Sequence, residues 1–398
     1  MRFAQMSVMV VEDHGFQRRM ALRLLAEVGV TRSSEAADGE SALRMLEVAS
    51  EMPDVVIVDL DMPGMDGIEF IGHVAQKKLA RAVVVASALD PALLHTVQSM
   101  ARAYGLRVLG CVEKPMTAPK LADVLAIFDV GPDADDTEAP VEITAEAIAE
   151  GLVRDEFLPF FQPQVTFSNG QVIGVEALAR WRRADGQIVR PAHFIPLIER
   201  EKLIDRLTDR ILEKACAWKS RWERTGLSLK ISVNVSMLNL LDVSAADRFQ
   251  HIVRSHGVDP REVVLEITES SVMGEAAHAL NVLARLRLKG FGLSVDDFGT
   301  GYSSLSQLSQ IPFTELKIDQ SFITGAANQP RKRAVVEASL ELARKLNLNV
   351  VAEGVEAVEE WQMLADLGCT YAQGYLISRP VPGDQLAEVI ARWRRPET

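Results

Sequence analysis

The sequence predicts an α/β chain of two successive units, a doubly wound parallel sheet followed by a modified (β/α)8 TIM barrel with an antiparallel first strand. Three observations carry that expectation. Short apolar runs alternate with amphipathic helical stretches, the pattern of parallel strands joined by helices. An acidic, proline-bracketed stretch, Gly131-Pro-Asp-Ala-Asp-Asp-Thr-Glu-Ala-Pro140, separates two such series and reads as a solvated linker. Beyond it, the strand-like runs 160–167 and 171–178 are joined by Ser168-Asn169-Gly170, and Asn-Gly at that place marks an antiparallel hairpin. The expected division is a first domain over 1–128, a linker over 129–142 and a second domain over 143–398.

Composition bounds the function. The chain has 398 residues, 48% hydrophobic and 25% charged, enough for two or three domains with ample cores. Its formal net charge of −12 argues against nonspecific nucleic-acid binding, which needs clustered Lys and Arg. Cys111, Cys216 and Cys369 lie far apart without paired ligand spacing, which suits a reducing compartment and no zinc framework. No long apolar run precedes Glu12 and Asp13, so no signal peptide is expected. Runs such as Ala82–Ala86 fall far short of the ~18 residues of a membrane span. The expectation is a cytoplasmic protein with no membrane partner.

In the first domain, Ser7–Val11 ends in Glu12-Asp13, Asp54–Asp59 ends on an acid, Ala82–Ala86 runs into Ser87, and Val108–Val112 leads to Lys114-Pro115. Functional groups of a doubly wound sheet gather at the carboxyl ends of its strands. Three carboxylates there offer a hard oxygen site for Mg2+, and a lysine and a hydroxyl could hold a phosphoryl group. These residues, with Asp59-Leu-Asp-Met-Pro-Gly-Met-Asp-Gly67, resemble the response-regulator receiver family. The resemblance implies a flavodoxin-like fold and phosphorylation of Asp59 by a sensor histidine kinase. It further implies Mg2+ held by Glu12 and Asp13 with Asp61 beside them, Lys114 and Ser87 at the phosphoryl group, and a cis Lys114-Pro115 bond. Cys111 stands where the family usually has Tyr or Phe, which puts its aromatic switch in doubt.

In the second domain, Thr144 is placed to cap a helix running through Phe157, with Ile143 and Ile148 spaced as a hydrophobic staple. Strands are expected at Lys230–Asn234, Val263–Ile267, Leu293–Val295, Glu315–Lys317, Val350–Ala352 and Thr370–Gln373, and helices at Ala276–Lys289 and Arg331–Leu346. Glu176, Asn234, Glu266, Asp296, Asp297, Lys317, Glu353 and Gln373 then fall at strand ends, where a barrel builds its active site. Two consecutive acids, Asp296-Asp297, make sense at a strand's exit before a glycine-rich loop, since strand side chains alternate faces. The oxygen-rich set suits two divalent ions with Asp296 bridging, and favours Mg2+ or Mn2+ over Zn2+. His251 and His256 lack ligand spacing.

Glu176-Ala-Leu-Ala-Arg-Trp181, Asp296-Asp-Phe-Gly-Thr-Gly-Tyr-Ser-Ser304, Leu316-Lys-Ile-Asp319, Ala352-Glu-Gly-Val-Glu356 and Gln373-Gly-Tyr-Leu376 resemble the EAL-domain family of cyclic di-GMP phosphodiesterases. The resemblance implies that Glu176, Asn234, Glu266 and Asp296 hold one metal, and Asp296, Asp297 and Glu353 a second. It implies Lys317 or Glu353 as the group that activates water, Gln373 in support, Glu269 as anchor of the loop after Asp297, and Gln162, Leu178 and Arg180 on the substrate. Gln320 departs from the Arg frequent in the family. The reading is a response regulator that hydrolyses cyclic di-GMP to linear pGpG by two-metal-assisted phosphodiester hydrolysis, regulated through Asp59, in a homo-oligomer (dimer or tetramer). The alternative is an inactive EAL-type receptor for the same nucleotide; such domains usually lose a ligand, and this chain keeps them all. A DNA-binding regulator fails on charge.

Overall fold

In the computed structural model the chain divides into two compact units, Met1–Val141 and Glu142–Thr398. The structure describes residues 3, 6–49, 51–87, 101, 106–129, 143–268, 276–300 and 311–396. Much of the expected linker, residues 130–142, lies outside them, while the helix before it reaches Asp129.

The first unit is a five-stranded parallel sheet of β1 (Ser7–Val11), β2 (Arg32–Ala36), β3 (Val55–Asp59), β4 (Ala82–Ser87) and β5 (Arg107–Glu113), in the order β2-β1-β3-β4-β5. Strand alternation sends Met9, Val11, Val56 and Val58 to one face, against Leu46 of the 39–48 helix and Phe70 and Val74 of the 67–77 helix. Val8, Val10, Val55 and Ile57 face the other way, against Leu25 of the 15–27 helix and Leu121 and Leu125 of the 118–129 helix. Continuous apolar runs are what a sheet covered on both faces requires. Sequence analysis did not predict β2. Its residues, Arg-Ser-Ser-Glu-Ala, are exposed at four of five positions, so no apolar run announced it; parallel pairing with β1 along its whole length defines it. It forms the charged, polar edge that discourages sheet extension.

In the second unit, β6 (Phe157–Thr166) pairs antiparallel with β7 (Val172–Arg182). Parallel strands follow from β7 through β9 (Lys230–Asn234), β10 (Val263–Thr268), β11 (Gly292–Phe298), β12 (Glu315–Ile318), β13 (Asn349–Ala352) and β14 (Tyr371–Ala372). β14 returns antiparallel to β6 and closes a ring of eight. Two short strands, β8 (Ile188–Val189) and β15 (Val381–Pro382), flank it. The expected strands and the reversed first strand are therefore present.

Two boundaries around β6 and β7 differ. The helix capped by Thr144, whose side chain accepts from Ala147 N at 3.2 Å, ends at Val153 rather than Phe157. Asp155 takes a left-handed turn (φ 62°), and Phe157 begins β6, stacked on Trp181 at 5.2 Å and edge-on to Phe194 at 5.3 Å. Aromatic packing outcompetes helix continuation there. Also, β7 continues past Leu178 to Arg182, so Glu176, Leu178 and Arg180 share one face of the strand.

Beyond β14 the backbone passes so close to the β13 exit that an added Cβ at Gly374 would lie 2.2 Å from Val355 O and 2.3 Å from Val355 N. Gly374→Ala should therefore destabilise the barrel by at least ~2 kcal/mol, the scale of overpacking against immovable atoms. Gly72→Ala, with open space around it on the 67–77 helix, should be neutral or stabilising by up to ~1 kcal/mol. Chemical denaturation followed by circular dichroism checks both; equal behaviour of the two variants would contradict the packing.

Candidate active site

Lys317, projecting inward from β12 and 1% exposed, is the centre of the barrel mouth. Its ammonium lies 3.4 Å from Glu176 Oε2, 3.0 Å from Glu266 Oε2, 2.9 Å from Asp296 Oδ1 and 2.8 Å from Glu353 Oε1. Four acids from β7, β10, β11 and the end of β13 thus share one cation. Burial alone would lower the Lys317 pKa, but the four carboxylates outweigh it and hold it well above its usual range.

The carboxylates are not equivalent. Asn234 Nδ2 donates to Glu176 Oε1 at 2.7 Å, and Gln373 Nε2 to Glu176 Oε2 at 2.6 Å. Burial raises the Glu176 pKa, and Lys317 with these amides outweighs it, leaving Glu176 below the ordinary carboxylate range. Glu266 has no such amides: burial, then the charge of Glu176, push it well up, and its Oε1 is buried without a hydrogen-bond partner among the described residues. Burial raises Glu353 to about 8 against the pull of Lys317, with Asp296 adding to the rise. Asp297 is raised to about 6 by burial and by the charge of Asp296.

The consecutive acids reach one space by a device that spacing did not reveal. β11 does not end at Val295; it runs to Phe298 with a register shift against β12 between Val295 and Phe298. Asp297 takes a left-handed backbone (φ 53°), which aspartate tolerates better than most side chains. Carboxylate oxygens of Asp296, Asp297 and Glu353 then all lie within 4.8 Å of one another. A donor set of oxygens alone, with the buried Glu266 Oε1 lacking a hydrogen-bond partner nearby among the described residues, fits a hard divalent cation.

The other expected residues fall around this cluster. Gln162, Gln373 and Gln164 form an amide chain: Gln373 donates to Gln162 Oε1 at 3.1 Å, Gln164 to Gln373 Oε1 at 3.0 Å, and Gln162 to Ser378 O at 3.1 Å. Sequence reasoning missed Gln164, although it lies two residues from Gln162 and so on the same face of β6. Leu178 borders a cavity of about 370 Å3 shared with Glu176, Asn234 and Asp296, whose far wall is apolar, including Ile195 and Leu207. Arg180 instead donates to Ala179 O at 2.8 Å and sits 5.8 Å over the Phe160 ring. Burial lowers its pKa from the usual guanidinium value. Glu269 and residues 301–304 lie outside the described residues. Neither His251 nor His256 joins an acidic or thiol cluster among the described residues.

The first unit repeats the arrangement with fewer groups. Lys114 Nζ lies 2.8 Å from Glu12 Oε2 and 2.5 Å from Asp59 Oδ2, and carboxylate oxygens of Glu12, Asp13 and Asp59 lie within 4.8 Å of one another. Glu12 is raised chiefly by burial; Lys114 is raised because its bonds to Asp59 and Glu12 outweigh burial. Asp61 is exposed at the exit of β3, and its N–H donates to Asp59 Oδ1 at 3.3 Å. Ser87 ends β4 and Cys111 is half-buried in β5; the Lys114-Pro115 bond is cis.

Residues 145–380 match the family described as EAL domain. The chain belongs to the EAL-domain family. Ahead of its EAL domain, residues 8–126 match the response regulator receiver domain. Cyclic di-GMP phosphodiesterase RocR of Pseudomonas aeruginosa is 34% identical over 95% of this chain and 96% of its own length. The bifunctional diguanylate cyclase/cyclic di-GMP phosphodiesterase MucR of the same organism is 39% identical over 61% of this chain, which spans 36% of that relative. Among solved structures, the PaMucR phosphodiesterase in complex with c-di-GMP superimposes with a TM-score of 0.58 at 39% identity, covering 61% of this chain and 98% of that one. An EAL domain protein from Listeria monocytogenes gives 0.55 at 28% identity, covering 62% and 98%. No helix among the described residues of this EAL protein is long and apolar enough to cross a membrane.

The raised acids of the EAL site carry a pH signature. Between the ordinary carboxyl range and about 8, Glu353 and, over its lower part, Asp297 bind more protons folded than unfolded, so metal-free stability falls as pH rises. In chelator, the Tm should be lower at about pH 8.5 than at about pH 6. Glu353→Gln should flatten the upper part of that fall and exceed the parent Tm at the higher pH. Differential scanning fluorimetry checks this; a parent Tm that rises with pH would refute it.

Proposed function

We propose that this protein is a response regulator whose EAL domain hydrolyses cyclic di-GMP to linear pGpG, under control of phosphorylation at Asp59. The observation that carries the reading is the complete inward-facing set: Lys317 within 3.4 Å of Glu176, Glu266, Asp296 and Glu353, with Asp297 beside them. The cyclic di-GMP phosphodiesterase RocR is similar over nearly the whole chain, which supports it. So does the likeness to a MucR structure holding c-di-GMP.

In this reading Glu176, Asn234, Glu266 and Asp296 would hold one divalent ion, and Asp296, Asp297 and Glu353 a second, either Mg2+ or Mn2+. When bound, such ions neutralise charge on the attacking and leaving oxygens of phosphodiester hydrolysis. The chain's own groups do the rest. Water adds oxygen to phosphorus, the bond from phosphorus to the 3′ oxygen breaks, and that oxygen leaves with a proton. Lys317 fixes the carboxylates and orients the water. Glu353, 2.8 Å from Lys317, is the alternative group to activate that water. Gln373 and Gln162 keep Glu176 in place, while Leu178 and the apolar slot beside it take part of the dinucleotide. Arg180 would leave its carbonyl for a phosphate oxygen, and Glu269 would anchor the loop after Asp297.

The receiver would take its phosphoryl group from a sensor histidine kinase. Glu12, Asp13 and Asp61 would serve Mg2+ there, with Lys114 and Ser87 at the phosphoryl oxygens. The protein would work in the cytoplasm, in keeping with three free cysteines, as a homo-oligomer. Exposed Leu238, Leu241 and Val243 supply apolar surface for such assembly.

Incubation with cyclic di-GMP and Mg2+ or Mn2+ should yield pGpG. Glu176→Ala and Lys317→Ala should each lower kcat by at least ~100-fold, the scale on which preorganised charge acts. Tight binding without pGpG would instead favour the inactive receptor. Separately, acetyl phosphate should label the parent chain and leave Asp59→Asn unlabelled; equal labelling would remove Asp59 from the mechanism.

A further inference from the structure

A second cavity, of about 820 Å3, opens in the barrel unit between the 204–223 helix, the 154–159 segment at the start of β6 and the 382–385 turn after β15. None of its lining residues belongs to the carboxylate cluster or borders the apolar slot beside it. Its size falls within the roughly 300–1,000 Å3 of small-molecule sites. Five basic and three acidic side chains line it, in a chain whose net charge is −12.

Two of the bases are already committed. Arg154 pairs with Glu150 at 3.0 Å, and Lys214 with Asp155 at 2.9 Å. Among the acids, Glu156 accepts from Trp181 Nε1 at 2.8 Å. Arg182, Arg183 and Arg221 have no carboxylate partner among the described residues, and Asp384 is the remaining acid. Arg183 is half-buried, its Nη1 without a hydrogen-bond partner among the described residues, and Arg182 and Arg221 are exposed. Aromatic rings orient two of these guanidiniums without neutralising them: Arg183 lies 5.5 Å over Trp181, and Arg221 lies 5.1 Å over Trp218.

The wall opposite is fixed. Trp222 Nε1 donates to Gly383 O at 3.1 Å, and Gly383 lies so close to Trp218 that a Cβ would sit 2.5 Å from the indole. Trp218 and the 382–385 turn therefore form a packed side of a cavity otherwise lined mainly by charged side chains.

We propose that this cavity binds a phosphorylated small molecule, with its phosphate groups on Arg182, Arg183 and Arg221. Planar guanidinium forks match phosphate oxygens in pairs, and three forks without a carboxylate partner are what such a ligand neutralises. The site is independent of the cyclic di-GMP reaction and would place a second anion on the same domain.

The test is isothermal titration of the full chain in chelator, so that no metal can hold an anion at either acidic cluster, with ADP and with pyrophosphate as probes. Saturable binding is expected, weakened at least tenfold in Arg183→Gln/Arg221→Gln while cyclic di-GMP turnover stays unchanged. Affinity for ADP well above that for pyrophosphate would identify a nucleotide as the source of the phosphate; equal affinities would identify the phosphate groups alone. Arg221→Gln by itself, altered at an exposed helix position, should still weaken binding severalfold and serves if the double variant fails to fold. No binding of either probe, binding indifferent to the arginines, or displacement by cyclic di-GMP would overturn the proposal.

Discussion

The barrel mouth is governed by an imbalance of charge: one buried ammonium, on Lys317, faces four carboxylates drawn from four strands. A single cation cannot compensate four ionised acids away from water, because uncompensated charge in that setting is strongly unfavourable. Two remedies remain. One is protonation, toward which burial pushes Glu266 and Glu353. The second is further cations, for which the Asp296, Asp297 and Glu353 oxygens already converge. Protons and metal ions thus compete for the same oxygens, and metal uptake must release protons.

The receiver solves a smaller version of the problem with one lysine and two buried acids. Lys114 binds both Glu12 and Asp59, and the exposed Asp13 completes the acidic group. The difference in charge excess follows the difference in task. A site that accepts one phosphoryl group needs its acceptor oxygen held and reachable. A site that breaks a phosphodiester needs charge placed on both sides of the phosphorus. In each case parallel strands supply the groups at their carboxyl ends, so the chemistry is fixed by where the sheet stops.

What the sequence made legible follows the same logic. Apolar runs with acids or amides at or near their ends marked β1, β3, β7, β9 and β10 and the groups they carry, because burial of a strand and exposure of its end leave opposite compositions. β2 was invisible because an edge strand of Arg-Ser-Ser-Glu-Ala has no apolar signature. The early stop of the first barrel helix depended on Phe157 meeting Trp181 and Phe194, residues 24 and 37 positions away, which no local window contains. Asp296-Asp297 could be recognised as a site, but not the left-handed turn at Asp297 within a continuing strand, since that conformation accompanies a register shift against the distant β12. Nor could spacing bring Arg182, Arg183 and Arg221 to one cavity.

The reversed first strand gives the charge imbalance its direction. Because β6 runs antiparallel between β7 and β14, Gln162 lies opposite Glu176, and Gln164 lies one step deeper on the same face. Both meet Gln373, so this seam of the barrel is lined by amides rather than charges. Amide donors stabilise an ionised carboxylate without adding charge of their own, and Glu176 is accordingly held below its usual range. On the opposite arc, Glu266, Asp297 and Glu353 lack that support and are raised. The seam therefore favours a negative charge beside Lys317, and burial favours protons on the arc of Glu266, Asp297 and Glu353, the groups whose protons a bound cation would displace.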